Sequence, residues 1–159
     1  MQNMITEVSV RLATLRDAAG IAEMSRDEIE HGLGWSWTVG RITRAIRDPN
    51  TNVAVVNSNA ALLAFGIMSY RDDAAHLLLF AVRRSHHRKG IGSAVLRWLE
   101  EVARVAGLRR IHVECRRDNG AARNFYGEHG YHEHEISRRY YSGIEDAVRL
   151  EKWLATDES

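Results

Sequence analysis

The sequence has very little of several features that define specialised classes of protein. It contains one cysteine, so no disulfide can form within the chain, which favours a reducing compartment such as the cytoplasm. No run of about 18 apolar residues is present, so no membrane-spanning helix is predicted. The opening letters MQNMITEVSV lack a basic segment followed by an apolar one, and no signal peptide is predicted.

An excess of charge of one sign is also missing. The chain has 22 Lys+Arg and 21 Asp+Glu, for a net charge of +1. This balance gives no support to a nucleic-acid partner, and no membrane partner is predicted. With 159 residues, 45% hydrophobic and 27% charged, and with no repeat or linker, the chain is predicted to form a single domain over residues 1–159.

Hydrophobic periodicity predicts elements in the order β-α-α-β-β-β-α-β-α-β-β. The predicted strands cover residues 8–13, 52–57, 61–70, 75–82, 110–115, 131–141 and 145–154. The predicted helices cover residues 18–32, 39–47, 91–106 and 119–130. The strand–helix–strand unit at 75–115 is long enough for a right-handed parallel crossover, whereas the meander before it and the hairpin after it are expected to be antiparallel. We expect an α/β fold (an α+β mixed sheet) with one twisted sheet and helices on both faces.

Basic residues are concentrated just before the longest predicted helix, in RRSHHRKGIGSAVL. Arg88 and Lys89 stand beside Gly90 and Gly92 at the helix start. A helix N-terminus presents unpaired N–H groups and partial positive charge, and glycine lets a ligand approach the backbone. The segment therefore predicts an anion site, with phosphate as the usual anion. A solvated basic loop, with glycines that serve only the turn, is the alternative.

Two common phosphate-binding motifs do not match this segment. A P-loop requires an earlier glycine and Gly-Lys-Ser/Thr, but Lys89 precedes Gly90. A dinucleotide fingerprint requires a third glycine where Val95 stands.

The letters HRKGIGSAVL do resemble the signature of the GNAT N-acetyltransferases, Gln/Arg-x-x-Gly-x-Gly/Ala. In that family the loop and helix start hold the pyrophosphate of acetyl-coenzyme A. Histidine occupies the Gln/Arg place here, and the neighbouring arginine can supply the missing charge. The resemblance implies that the pyrophosphate is bound by His87, Arg88, Lys89, Gly90, Ile91, Gly92 and Ser93.

Two later segments resemble the same family. The letters DNGAARNFYGEHGY are similar to its Asn-x-x-Ala-x-x-Phe/Leu-Tyr-x-x-x-Gly-Phe/Tyr pattern. The tail RRYYSGIEDAVRLEKW is similar to that of ribosomal-protein N-terminal acetyltransferases, which carry a longer insert there. Together the three segments imply a GNAT-like fold over most of the chain, with acetyl-coenzyme A and an amine acceptor as partners. GNAT proteins are often dimers, so a homodimer is compatible with the resemblance.

Acetyl transfer to an amine needs a proton acceptor and a proton donor. Glu114 lies twelve residues before Tyr126 and matches the glutamate that acts as base in the N-terminal acetyltransferases. Partial burial is expected to raise its pKa, and a surface glutamate paired with Arg110 or Arg116 is the alternative. Tyr126 matches the general-acid tyrosine, because a phenol with a pKa of about 10 is protonated at neutral pH. An aromatic core residue beside Phe125 is the alternative for Tyr126.

Other positions are implied to contact the substrates. In the family, the central strand separates from the next parallel strand, and its exposed backbone edge binds the cofactor arm and supplies an oxyanion donor. The matching positions here are Phe80, Ala81 and Val82, and Asn119 matches a side chain that binds the arm. Asn119 could instead form an Asx turn that starts the next helix.

The loop between the first two helices carries Trp35 and Trp37, and in GNAT enzymes this loop lines the acceptor site. The two rings form either an aromatic wall for the acceptor or a cap on the core. No metal site is predicted, since His129, His132 and His134 lack a recognised set of partner ligands and are interpreted as surface residues.

The predicted function is N-acetyl transfer from acetyl-coenzyme A in the cytoplasm, with a peptide or protein N-terminal amine favoured as acceptor. A GNAT enzyme for a small amine (a polyamine, amino acid or aminoglycoside) and a non-catalytic acyl-CoA-binding module are the alternatives. Cys115 is interpreted as a small buried residue rather than a nucleophile.

Overall fold

The computed structural model describes residues 8–30, 36–87, 90–141 and 145–154. The strands in these ranges are β1 (Arg11–Leu12), β2 (Thr51–Ser58), β3 (Ala61–Arg71), β4 (Ala74–Val82), β5 (Arg110–Arg116), β6 (His132–Tyr141) and β7 (Glu145–Trp153). The helices are α1 (Ala18–Glu28), α2 (Val39–Arg47), α3 (Ile91–Val105) and α4 (Gly120–Glu128). The predicted order of elements is confirmed, although β1 is shorter than predicted and α1 ends at Glu28 rather than near Gly32.

The described strands form one seven-stranded sheet in the order β1-β2-β3-β4-β5-β7-β6. Strands β4 and β5 are parallel, and the other neighbouring pairs are antiparallel. The parallel pair is joined through α3, as the sequence predicted. None of the helices in the described ranges is long and apolar enough to cross a membrane.

Two apolar clusters cover the two faces of the sheet. One contains Val95 and Leu99 of α3 together with Tyr126 of α4, and the other contains residues of α1 and α2. In β2, Ala54 belongs to the first cluster and Val55 to the second. Since successive side chains of a strand point to opposite faces, the clusters lie on opposite sides of the sheet. We refer to these sides as the α3–α4 face and the α1–α2 face.

Helix α3 packs very closely against β3 because Gly66 has no side chain. A Cβ atom at Gly66 would lie 2.7 Å from Leu99 Cδ1 and 3.4 Å from Val95 Cγ1. Leu99 and Val95 are themselves fully buried, so neither side chain can move aside into solvent. The glycine is therefore required by packing rather than by backbone conformation.

We predict that Gly66→Ala lowers the free energy of unfolding by about 1–3 kcal/mol, because the added methyl group overpacks the core. Gly20→Ala is the matched control, since its Cβ would meet nothing closer than Leu62 Cδ2 at 3.9 Å. Gly20 lies within α1, where alanine is expected to stabilise by roughly 0.5–1 kcal/mol. Urea denaturation measures both changes, and equal stability of the two variants would contradict the close approach at Gly66.

Candidate active site

Strands β4 and β5 separate halfway along their length. They pair from Ala74–Arg110 to Leu77–Val113, and the described residues show no further pairing between these two strands. The remainder of β4 pairs only with β3, and the remainder of β5 only with β7. The backbone edge of β4 from Leu78 to Val82 therefore faces a gap between two parallel strands, which is the separation implied by the family resemblance.

The separation starts at an irregularity in β4. Leu77 pairs with Met68 and Leu79 pairs with Ile67, so Leu78 has no partner in β3. This extra residue is a β-bulge, and it reverses the faces of the residues that follow. Leu77 packs on the α3–α4 face, whereas Leu79 packs on the α1–α2 face. Phe80 and Val82 consequently point toward the α3–α4 face.

The start of α3 has the geometry of an anion site. Gly90 occupies the N-cap in the left-handed region at φ 80°, and nothing lies within 4 Å of where its Cβ would be. The first intrahelical bond joins the Ala94 N–H to the Gly90 carbonyl at 3.1 Å. The N–H groups of Ile91, Gly92 and Ser93 precede that bond, and among the described residues none accepts a hydrogen bond from them, so they can bind a ligand.

The two glycines of the turn serve different purposes. Gly90 permits the left-handed backbone, whereas a Cβ at Gly92 would lie 3.1 Å from Val82 Cγ2 and 3.4 Å from the Phe125 ring. Gly92 thus allows α3 to start directly against β4 and α4. Phe125 also stacks on Phe80, with ring centroids 5.6 Å apart.

The histidine of the predicted motif is engaged within the loop. His87 Nε2 lies 2.8 Å from the Val82 carbonyl oxygen, and because a carbonyl only accepts, Nε2 donates this bond. Only Nδ1 of His87 is then free to meet a cofactor, so a direct role for Nε2 in pyrophosphate binding is not supported. The predicted residues Arg88 and Lys89 lie outside the described residues.

A second histidine supports the helix start, a role that the sequence did not indicate. His129 Nε2 lies 2.9 Å from Ser93 Oγ, and Nδ1 lies 2.8 Å from the Phe125 carbonyl oxygen. The carbonyl must accept from Nδ1, so in the neutral ring the Ser93 hydroxyl donates to Nε2. His129 is partly exposed, as a surface histidine would be, but it also joins the end of α4 to the start of α3. His132 and His134 are exposed, as expected.

Asn119 starts α4. Its Oδ1 accepts a hydrogen bond from the Ala122 N–H at 3.0 Å, which makes it the N-cap of the helix. The Asx-type alternative is therefore present in the structure. The amide nitrogen of the same side chain is not used by this bond, so a contact with the cofactor arm stays a prediction.

Tyr126 is buried on the α3–α4 face beside the gap. Its ring lies 6.2 Å from that of Phe80 and 5.6 Å from that of Tyr131 between centroids. Burial, with a smaller effect from Cys115, raises the pKa of the Tyr126 phenol well above its usual value, which keeps the proton on the oxygen. Within the described residues the hydroxyl has no hydrogen-bond partner. The aromatic-core alternative and the proton-donor role are thus compatible in one side chain.

Glu114 lies on the opposite face of β5, and its environment differs from the one expected. Its Oε1 is 2.5 Å from His76 Nε2, and its Oε2 is 3.5 Å from Arg149 Nε. Burial raises the pKa of Glu114, but the hydrogen bond and charge of His76 together with the charge of Arg149 outweigh burial and lower it. The expected rise of this pKa toward neutrality is therefore wrong.

The expected arginine partners of Glu114 are engaged elsewhere. Arg110 Nη1 lies 3.3 Å from Glu151 Oε2, and Arg116 Nη2 donates to the Ile29 carbonyl oxygen at 2.7 Å. The bond from Arg116 connects β5 to the end of α1, where the loop toward α2 begins.

The Trp37 ring caps the core and does not form an exposed wall of an acceptor site. Its side chain is 8% exposed, and the Arg41 guanidinium lies 3.8 Å from the ring centroid. The chain at Ser36 and Trp37 is held by Glu30, a buried carboxylate whose role the sequence did not indicate. Glu30 accepts from the Ser36 N–H at 2.9 Å, from the Ser36 hydroxyl at 2.6 Å and from the Trp37 N–H at 3.2 Å. Trp35 lies outside the described residues.

Comparison with known proteins agrees with this geometry. The model of the acetyltransferase (GNAT) family matches residues 18–131, well over half of the chain. The ribosomal protein bS18-alanine N-acetyltransferase of Escherichia coli strain K12 is 33% identical over 96 residues, which cover 58% of this chain and 65% of that protein. The N-alpha-acetyltransferase of Sulfurisphaera tokodaii is 33% identical over 76 residues, 47% of this chain and 46% of that protein. Both matches span less than two thirds of the relative.

Solved structures share the fold over nearly the whole chain. The ribosomal-protein-S18-alanine N-acetyltransferase from Escherichia coli has a TM-score of 0.81 at 23% identity, covering 96% of this chain and 97% of that one. The PaiA N-acetyltransferase from Thermoplasma acidophilum, in complex with coenzyme A, has a TM-score of 0.77 at 16% identity, covering 93% and 99%. At these identities the likeness establishes the fold, which is the one predicted.

The burial of Cys115 predicts that its thiol reacts slowly with thiol reagents. It is buried, and burial raises the pKa of its thiol to about 11. At pH 8 only about one thiol in a thousand would then be ionised, so a thiol reagent should label native protein at least about 100-fold more slowly than protein in denaturant. The denatured chain is the control. Labelling of the native protein at the rate of an exposed cysteine would contradict the burial of Cys115.

Proposed function

The chain belongs to the acetyltransferase (GNAT) family, and we propose that it transfers an acetyl group from acetyl-coenzyme A to a primary amine. The observation that carries this proposal is the unpaired edge of β4, which faces a gap beside the open N-terminus of α3. A long ligand with phosphate at one end and a reactive group at the other can lie along these two features.

The residues present fit such a ligand. Acetyl-coenzyme A supplies the acetyl group as an activated thioester. The N–H groups of Ile91, Gly92 and Ser93 would bind its pyrophosphate, with added charge from Arg88 and Lys89. The edge of β4 at Phe80, Ala81 and Val82 would bind the arm and supply the oxyanion donor, and the amide nitrogen of Asn119 would orient the arm. The positive φ of Gly90 also supports pyrophosphate binding at this turn.

Glu114 and Tyr126 flank the gap from opposite faces of the sheet. One side chain can therefore accept a proton on one side of the gap while the other donates a proton on the other side. Tyr126 packs on the α3–α4 face with Val113 and Cys115, and Glu114 alternates with these two residues along β5. We assign acceptance of the amine proton to the Glu114 carboxylate, directly or through water. The Tyr126 hydroxyl donates a proton to the departing sulfur. As the C–N bond forms and the C–S bond breaks, one proton leaves nitrogen and one reaches sulfur.

A peptide or protein α-amino group is the favoured acceptor. An α-amino group has a pKa near 8 and a lysine side chain near 10.4, so removal of its proton is easier by roughly two pKa units, or about 2.7 kcal/mol. The lowered pKa of Glu114 makes its carboxylate a weak base, which suits the easier proton. The names of two relatives describe alanine and N-alpha acetylation.

A small-molecule amine is the second candidate. Only Ser142, Gly143 and Ile144 separate β6 from β7, whereas the ribosomal-protein enzymes carry a longer insert there. An acceptor groove bordered by this connection would then differ from that of the ribosomal-protein enzymes.

The acceptor is tested with two matched peptides. One has a free N-terminal alanine and no lysine, and the other is blocked at the N-terminus and carries one lysine. We expect faster release of free coenzyme A thiol with the first peptide, because its amine is more readily deprotonated at neutral pH. Faster reaction of the blocked peptide, or reaction only with small amines, would contradict the assignment. Binding of acetyl-coenzyme A with no transfer to any amine would favour a cofactor-binding module.

The proton donor is tested with Tyr126→Phe, which removes a hydroxyl that has no hydrogen-bond partner in the described residues. We expect kcat to fall by about 100-fold or more, with unchanged affinity for acetyl-coenzyme A by calorimetry. Tyr131→Phe is the matched control, since its hydroxyl donates to Glu100 Oε2 at 2.8 Å and has no assigned chemistry. If Tyr126→Phe and Tyr131→Phe turned over at the same rate, Tyr126 would not be the proton donor.

A further inference from the structure

Three side chains with metal-ligating atoms lie together on the α1–α2 face, outside the gap that would hold the cofactor. His76 of β4 and His112 of β5 are register partners in the parallel pair, and Glu114 lies two residues beyond His112. Residues two apart in a strand share a face, so the sheet itself brings the three side chains together. One ligand atom of each lies within 4.8 Å of the others.

The spacing of these atoms is close to that of a metal site. Bonds of about 2.0–2.2 Å from zinc to nitrogen and oxygen place tetrahedral ligands roughly 3.4 Å apart. His76 Nε2 and Glu114 Oε1 are 2.5 Å apart, and the two imidazole rings are stacked with centroids 4.2 Å apart. An ion held by His76 and Glu114 would therefore require their contact to open from 2.5 Å to roughly 3.4 Å.

Each histidine offers an imidazole nitrogen on the same face of the sheet as the Glu114 carboxylate. To ligate through Nε2, His76 would exchange its hydrogen bond with Glu114 Oε1 for a bond to the ion. The chemistry of two imidazoles and one carboxylate suits zinc and its neighbours rather than magnesium or calcium.

An ion can reach this cluster from solvent. His76 and His112 line a pocket of about 580 Å³, which also contains the carboxylates of Asp48, Asp72 and Asp73. Glu114 does not line this pocket, so an ion would enter from the side of the two histidines. Arg71 and Arg110 also line the pocket, so its three carboxylates face two guanidinium groups.

Two arginines near the cluster oppose a cation, and both have acidic partners. Arg149 Nε is 3.5 Å from Glu114 Oε2, but its Nη1 is also 3.4 Å from Glu135 Oε1. Arg110 is paired with Glu151. If the Glu114 carboxylate rotates to bind an ion, Arg149 can therefore keep Glu135 as its carboxylate partner.

We propose that His76, His112 and Glu114 bind one divalent transition-metal ion of the zinc type, and that the bound ion inhibits acetyl transfer. The binding half stands on the geometry of the three residues alone. The inhibition half rests on the proposed function, because an ion on the Glu114 carboxylate would occupy the oxygen assigned to accept the amine proton.

Binding is tested on untagged, metal-free protein by titration with Zn²⁺ against a chromophoric chelator and with Co²⁺ by visible absorption. We expect one ion per chain. His112→Phe keeps a ring against His76 but removes the ligand nitrogen, and it should weaken binding at least about 10-fold. His132→Ala, at an exposed histidine, is the matched control and should bind like the unaltered protein. No binding, or equal binding by His112→Phe and the unaltered protein, would overturn the site.

Inhibition is tested on the same proteins with the amine found to react. We expect Zn²⁺ to stop thiol release, a chelator to restore it, and His112→Phe to retain turnover while losing sensitivity to Zn²⁺. Binding without inhibition would overturn the inhibition half. Absence of turnover in metal-free protein with every amine would instead refute the proposed function and the inhibition half with it, while the binding result would stand by itself.

Discussion

The bulge at Leu78 is the constraint on which the rest of the site depends. One unpaired residue in β4 coincides with the end of the pairing between β4 and β5. A bulge bends its strand and increases the local twist, so two strands that begin parallel and hydrogen-bonded end apart. The resulting gap lies in the middle of the sheet, where a strand edge is normally covered. An unpaired edge at this place calls for a ligand that can satisfy its backbone groups.

The same bulge determines how α3 meets the sheet. Because the faces of β4 reverse after Leu78, Val82 points toward α3, where Gly92 leaves space for its methyl group. Phe80 and Phe125 stack across the same face and lead to Tyr126. The open helix N-terminus, the unpaired strand edge and the phenol are therefore positioned by one continuous set of contacts. His129 adds a polar link, since it bonds both Ser93 and the backbone of α4.

The α1–α2 face is polar near the gap, in contrast to the apolar α3–α4 face. Glu114 is 7% exposed there, and His76 and Arg149 compensate its charge. A buried carboxylate is stable only with such partners, and the same partners make it a weaker base. Under the proposed function, Glu114 is subject to two demands: charge compensation in the folded protein and proton acceptance during the reaction. These two demands together favour an acceptor whose proton is easily removed.

The sequence by itself determined the order of elements, the central position of β4 and the start of α3. Amphipathic spacing, turn residues and an apolar run are local signals, and they sufficed for these features. The bulge could not be predicted from the sequence. The letters LLLFAV are apolar at every position, so they show no alternation that could reveal a change of face. The partners of Glu114 were also decided only by tertiary structure. His76 is 38 residues away and Arg149 lies on a strand that enters the sheet out of chain order, so the pKa of Glu114 depends on charges that no local pattern encodes.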